Sequence, residues 1–334
     1  MTVTDEGVAA FLARAAEAGA RGTGGPVREV TALTGGTYNA LYTVELGGGE
    51  RLVLKVPPPA DRPRLRYEAE LLCGEALFYR SAAAAGVPAP RVVHAETAEG
   101  PGREPFLLMT HVPGVPWWEV AERMADAERE RLRGDLGALV ARLHTVTGPG
   151  FGYPAPSAGP PAARWAGAFA AMTGAVLDDA ERYGAWLPFP VPVVRARLAA
   201  AADVLDAVDV PALVHFDLWP GNVLIDGPVG SRTISGLIDG ERMMWGDPLA
   251  DFASLSLFVG DAERDTAFLA GYRAGGGTAE LDGPALRRIA LYRCYLYLIM
   301  LVEVVPRGYG PERVAWAREY VGPRLAAALE GAAG

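Results

Sequence analysis

Residues 215–222 read His-Phe-Asp-Leu-Trp-Pro-Gly-Asn, and a short apolar run leads from them to Ile238-Asp239-Gly240-Glu241 and on to Gly246-Asp247-Pro248. No other feature constrains the chain as much. Phosphoryl transfer needs one carboxylate to orient the attacking hydroxyl, and an Asn with a second carboxylate to hold Mg²⁺. Asp217, Asn222 and Asp239 stand in the order that fills those three roles. A single Asp or Asn between apolar runs is commonly a turn former, and a lone His beside Val214 is commonly a bonded core residue. Three such residues in this order, followed by Asp239 at the end of the apolar run 234–238, are hard to obtain by chance.

The spacing repeats the protein-kinase pattern H-R-D-x-x-x-x-N except at the middle residue, where Phe216 replaces Arg. That Arg pairs with a phosphorylated activation loop in protein kinases, so its absence argues against regulation of that kind. The segment resembles the aminoglycoside phosphotransferase family, with its His-Gly-Asp-x-x-x-x-Asn, then Asp-x-Glu or Asp-x-Asp, then Gly-Asp-Pro. Phe216 stands in place of the usual Gly, and Gly240 in place of the usual aromatic of the later motif. Neither departure removes a group that would touch phosphate or metal. A protein kinase is disfavoured because Asp239-Gly240-Glu241 lacks the Phe of Asp-Phe-Gly and no Ala-Pro-Glu follows.

The resemblance implies an α+β, bilobal, protein-kinase-like fold. It places a small antiparallel-sheet lobe with one main helix at 1–109, a hinge at 110–114, and a larger, mainly helical lobe at 115–334. Strand patterns at Val27–Leu33, Tyr38–Leu46 and Arg51–Val56 suit the small lobe, with glycine turns between them. In the first turn Gly35, Gly36 and Thr37 would let backbone N–H groups approach phosphate without an intervening Cβ. The resemblance assigns Lys55, on the third strand, to the α and β phosphates and to a glutamate on the following helix. Among Glu68, Glu70 and Glu75 on a helix expected at about 66–85, Glu75 is chosen because it stands eleven positions before Gly86 in a register like the family's. Glu68 and Glu70 are expected on the solvated face of the first turns.

Pro105-Phe-Leu-Leu-Met-Thr-His-Val-Pro-Gly114 reads as a buried strand and an extended link. As the hinge, its Thr110, His111 and Val112 would bond an adenine edge through main-chain groups, with Met109 behind the base. Helical patterns follow at 127–143, 165–183, 193–208, 248–258, 262–274, 283–305 and 311–329, and 148–163 is a Pro/Gly/Ala-rich loop of a length often found in lids. His144 reads as structural. Asp247 reads as the N-cap of a helix with Pro248 at its first position, and with Asp251 as scaffold beneath the catalytic loop.

The chain has 334 residues, a formal net charge of −9 and a sequence pI near 5.1. That balance disfavours a nucleic-acid partner, which needs a dense positive surface. Cys73 and Cys294 look like small buried hydrophobes, and the four histidines lack zinc-site spacing. A metal would therefore be a hard cation on oxygen ligands. Acid near the N-terminus and charges within the most apolar stretch, 289–305, argue against a signal peptide and a membrane span, so a soluble cytoplasmic protein is expected.

The expectation is an ATP- and Mg²⁺-dependent phosphotransferase acting on a small-molecule hydroxyl, with Asp217 as catalytic carboxylate and Asn222 and Asp239 as metal ligands. Trp219 and Glu241 are candidate acceptor contacts. The resemblance points to an antibiotic acceptor of aminoglycoside, nucleoside or macrolide type, whose modification would confer resistance. Alternatives are a fructosamine, choline or homoserine-like metabolite kinase, or an inactive nucleotide-binding module. From Asp261 onward acidic and basic residues number nine each, which disfavours a polycation. The aromatics Tyr292, Tyr295, Tyr297, Tyr309, Trp316 and Tyr320 read as core more than as stacking surface.

Overall fold

A computed structural model describes residues 4–23, 25–33, 38–97, 104–278 and 280–333. The N-terminal part holds helix α1 (Asp5–Glu17), strands β1 (Val27–Ala32), β2 (Ala40–Leu46) and β3 (Arg51–Val56), helix α2 (Leu71–Ala84), and strands β4 (Val92–Glu96) and β5 (Phe106–Thr110). The five strands form one antiparallel sheet in the order β1-β2-β3-β5-β4. Alternation along the strands sorts their side chains. Leu52, Leu54, Val56, Phe106 and Leu108 face Val8, Phe11, Leu12 and Ala15 of α1. Leu107 and Met109 instead join the larger core that includes Leu72, Ala76 and Tyr79 of α2. Lys55, between Leu54 and Val56, is turned to that second face.

Helix α2 departs from the expected span. Residues 66–68 form a separate 3₁₀ turn, because the Glu68 carboxylate reaches back to accept the Leu65 N–H at 2.7 Å. Glu70 then takes a left-handed conformation (φ 60°), which breaks the helix before Leu71. Neither glutamate lies on a solvated face. Glu68 is buried on the Arg307 guanidinium, whose Nε donates at 2.9 Å, and half-buried Glu70 accepts from the Ser157 N–H.

Beyond β5 come β6 (Val115–Pro116), α3 (Trp117–Val120), α4 (Asp126–His144), α5 (Trp165–Tyr183), α6 (Val191–Ala200), β7 (Ala212–Val214), β8 (Val223–Asp226), β9 (Thr233–Leu237) and β10 (Met244–Gly246). Helices α7 (Ala250–Leu255), α8 (Thr266–Ala274), α9 (Gly283–Val302), α10 (Pro311–Trp316) and α11 (Gly322–Ala333) complete the chain, with a π-helical turn at 317–321. Helix α9 is the centre of this part: Ile289, Leu291, Tyr292, Cys294, Tyr295, Leu296, Leu298 and Ile299 are fully buried. The buried Tyr292, Tyr295 and Tyr297 are core, whereas Trp316 and Tyr320 are only partly covered. Cys73 and Cys294 are free thiols. Among the described residues no helix is long and apolar enough to cross a membrane.

Two local features bear on the sequence reading. The loop 148–163 is pinned, through Gly148 N–H to Pro211 O, the bridge Phe151 to Ala162 and the bridge Gly152 to Trp245, with Phe151, Tyr153 and Ala155 buried. Asp247 is not an N-cap with Pro248 at the first helical position, since α7 begins at Ala250. Its Oδ1 accepts from Leu249 N–H at 3.0 Å, and its Oδ2 accepts from Arg288 Nε at 2.8 Å and Tyr292 OH at 2.7 Å. The carboxylate thus ties the turn to α9.

Candidate active site

Two short antiparallel strands, β8 and β9, carry the loops that the motif occupies. The first loop runs from β7 to β8 and contains His215, Asp217 and Asn222. The second follows β9 and contains Asp239, Glu241 and Arg242. The backbone bond from Ile238 N–H to Asn222 O, 3.0 Å, holds the two loops side by side.

Asp251 fixes the first loop from below. Fully buried at the start of α7, it accepts from the backbone N–H of Phe216 (2.7 Å) and of His215 (3.2 Å) and contacts His144 Nε2 (2.9 Å). These bonds hold Phe216 at φ 62°, the left-handed region that favours glycine. The buried Phe216 ring stacks on Tyr295 with centroids 5.5 Å apart, packing that offsets the backbone cost. His215 accepts the Asp217 N–H at Nδ1 (3.2 Å) and donates from Nε2 to Ile238 O (3.0 Å), which fixes a neutral imidazole. Burial likewise lowers its pKa.

Gly240 is explained by the third dimension. A Cβ there would stand 2.3 Å from Cδ1 of Phe78 on α2, so the Phe78 ring fills the space an aromatic at 240 would need. The same ring meets His215 edge-on at 4.7 Å. Gly240→Ala is therefore expected to destabilise by about 1–3 kcal/mol. Adding Phe78→Ala removes the clash, so a double-mutant cycle by thermal unfolding should give a coupling of opposite sign to the single losses. Additive losses would disprove the steric account.

At the centre, the buried Lys55 ammonium meets three carboxylates: Asp239 Oδ1 at 2.6 Å, Glu75 Oε2 at 2.7 Å and Glu241 Oε2 at 2.7 Å. Burial penalises this charge, but the carboxylates, Asp239 foremost, outweigh it and hold the Lys55 pKa well above its ordinary value. Although burial opposes it, the same contact keeps Asp239 below the usual carboxylate range. Burial pushes Glu75 up to about 7 in spite of Lys55. Tyr79, one turn on from Glu75, donates to Glu75 Oε1 (2.8 Å) and accepts the Asp239 N–H (3.0 Å), linking α2 to the second loop. Asn39 donates to Glu241 at 2.7 Å.

Asp217 faces a second charged group. Its Oδ1 lies 4.0 Å from Arg242, which also bonds Glu303 (3.1 Å), and Glu303 in turn meets Arg307 at 3.3 Å. Burial pushes the Asp217 pKa up to about 7; Arg242 opposes that rise, and Asp239, Glu241 and Glu303 add to it.

Glu75, Asp239 and Glu241 offer oxygens within 4.8 Å of one another, a convergence that the Lys55 ammonium itself satisfies. Asn222 and Asp239 fit a hard cation better. The Asn222 amide donates to Asp217 O (2.8 Å), which leaves Oδ1 as its uncommitted acceptor, and the Asp239 side chain is 41 % exposed with only one oxygen on Lys55.

At the linking segment Met109 is buried and pairs with Val53 across the sheet, on the same face as Lys55. Thr110 and His111 spend their N–H groups on Arg91 O (2.9 Å) and Arg51 O (3.1 Å), so these donors are not free for a base edge, and among the described residues Val112 has no such bond. Gly35, Gly36 and Thr37 lie outside the described residues. Trp219 packs edge-on against Phe258 (5.7 Å, 71°), and its ring lies so close to Gly221 that any Cβ there would clash at 2.1 Å.

The profile of the phosphotransferase enzyme family matches residues 29–292. The chain belongs to that family. No curated protein sequence gives a significant match. Among solved structures, this phosphotransferase is similar to a candidate fructosamine-3-kinase from Thermobifida fusca YX-ER1, at TM-score 0.67 and 24% identity over 96% of this chain and 99% of that one. A macrolide 2'-phosphotransferase type I gives TM-score 0.60 and 19% identity over 96% and 99% of the two chains. The streptomycin–ATP–APH(2")-IIa ternary complex gives 0.61 and 16% over 97% and 99%. The bilobal kinase-like fold is thereby shown.

Sequence reasoning passed over Arg242, Tyr79, Phe78, Glu303 and Arg307. Two of them carried a signal: Tyr79 lies four residues after Glu75, on one helix face, and Arg242 lies three after Asp239. Phe78, Glu303 and Arg307 are brought in only by packing.

Proposed function

We propose that this phosphotransferase moves the γ-phosphoryl group of ATP to a hydroxyl of an uncharged or weakly charged natural product, of which an antibiotic is the leading case. The observation that carries the reading is the convergence of Lys55, Glu75 and Asp239 beside the loop that holds Asp217 and Asn222. Residues 1–109 would form the nucleotide lobe, 110–114 the hinge and 115–334 the catalytic and acceptor lobe. Lys55, fixed by Glu75, would neutralise the non-transferred phosphates, and Val112 would supply the free main-chain donor at the hinge, with Met109 beside the base. Asn222 and Asp239 would hold Mg²⁺, which when bound neutralises charge on the phosphates. Asp217 would accept the hydroxyl hydrogen bond and orient the attacking oxygen.

Charge pairing near Asp217 favours an acceptor that is not a polycation. Glu303 is taken by Arg242 and Arg307, and Glu68 by Arg307. Each ammonium group of a polycation would need a carboxylate of its own. Aromatic faces are available instead: Trp219 meets Phe258, and Phe258 stacks with Tyr320, which stacks with Trp316. A glycated-amine acceptor is the second reading, supported by the Trp219 loop and by the fructosamine-kinase-like neighbour.

The test is phosphate transfer from labelled ATP with Mg²⁺ to aminoglycosides, nucleoside and macrolide antibiotics, choline, homoserine and glycated amines, with Asp217→Asn as control. Transfer to one class, lost in the variant, supports the reading; ATP bound with no transfer to any acceptor removes it. A pH profile follows from the raised Asp217. Protonation removes its ability to accept the hydroxyl hydrogen, so kcat/KM, which reports the free enzyme, should fall as pH drops through about 7. Arg242→Met removes the group that holds this value down, and the acidic limb should move to higher pH. A limb that stays in place would show that Asp217 does not set it.

A further inference from the structure

A cavity of about 580 Å³ lies behind the catalytic loop, between α3, α4, the segment after α7 and the start of α8. Its walls include Trp117, Trp118, Leu136, Trp219, Phe258 and Val259. The volume falls in the range of ligand pockets, and an aromatic lining with few polar groups is their usual character. Three of these side chains stand open to solvent together at its mouth, Trp118 at 56%, Phe258 at 52% and Val259 at 53%. Phe258 is held there with φ 68°, a conformation that a residue with a side chain rarely adopts.

The polar rim is already matched. Arg133 bonds Asp265, and Arg129 bonds Asp126 and the Ala121 and Met124 carbonyls. Both guanidiniums among its described lining residues are already paired, and Glu122 is exposed to water. The cavity borders the loop that holds Asp217, with the Asp217 carboxylate itself outside its lining: Leu218, Trp219 and Pro220 form one wall, and the Trp118 N–H donates to Pro220 O at 3.3 Å, tying α3 to that loop. An occupant that packs on Trp219 sits against the loop that carries Asp217.

We infer that this cavity binds an uncharged, planar or apolar arm of the acceptor, which makes the acceptor a bulky amphipathic alcohol and not a small polar metabolite. The inference rests on the kinase reading for the word acceptor, and on the cavity alone for the ligand chemistry. The probe is N-phenyl-1-naphthylamine, a neutral aryl amine whose emission rises in apolar sites, titrated into the wild type, Ala121→Trp, which fills the cavity, and Trp118→Ala, which removes an exposed wall. Both variants should bind it at least tenfold more weakly, while ATP affinity and thermal unfolding stay as in the wild type. Bulky apolar members of the acceptor panel should displace the probe, and their KM should rise in Ala121→Trp with kcat held. Undiminished probe binding in both variants would overturn the cavity as a site. Probe binding that no panel compound displaces would overturn its assignment to the acceptor. Displacement without phosphate transfer would leave the cavity standing and bring down the kinase reading instead.

Discussion

Asp239→Asn is expected to lower kcat/KM by roughly three orders of magnitude or more while leaving the fold intact, because on the proposed mechanism a lost charge on the phosphate-neutralising cation site acts mainly on the transition state. Asp239 sits at φ 61°, and Asn tolerates that conformation as well as Asp does. The backbone bond from residue 239 to Tyr79 OH also survives. Lys55 keeps Glu75 and Glu241, so its buried charge stays paired. The variant therefore separates chemistry from stability: thermal unfolding should be near the wild type, and Mg²⁺-dependent turnover should nearly vanish. Turnover near the wild-type rate would remove Asp239 from the metal site.

Asp251→Ala should act through stability instead, with a loss of about 3–5 kcal/mol, the scale for breaking a buried charged network. Its carboxylate is the acceptor for the N–H groups of His215 and Phe216 and contacts His144, all buried. Each donor left unpaired in the interior costs about 1–3 kcal/mol. Asn is no remedy, since its NH₂ would face one of those N–H groups. A fall in Tm of roughly 10 °C follows for a chain of this size, and activity should fall with it because the loop loses the anchor that holds Phe216 in the left-handed region. A shift of only a few degrees would mean that water or His144 takes over the bonding.

The sequence by itself determined the order of the chemical groups. The interval from Asp217 to Asn222 and the apolar run before Asp239 place three polar residues on the loops flanking a two-stranded hairpin, and strand alternation turns Lys55 away from Leu54 and Val56. The resemblance, through its register relative to Gly86, points to Glu75, the glutamate that meets Lys55 at 2.7 Å. The motif order is legible because it depends on local spacing along the chain, whereas Lys55 and Glu75 are picked out by what the resemblance implies.

Only the tertiary structure decided what surrounds them. Glu68 looks like a solvated helix residue until Arg307, 239 positions away, covers it. Asp247 looks like a cap until Arg288 and Tyr292 of α9 claim its carboxylate. Gly240 looks like a missing aromatic until Phe78 fills the space from another helix. Arg242 reaches Asp217 and Glu303 together because α9 ends beside the second loop. The physical reason is common to all four: each partner is chosen by burial and charge balance between segments distant in sequence, and no local spacing encodes which segments the core brings into contact.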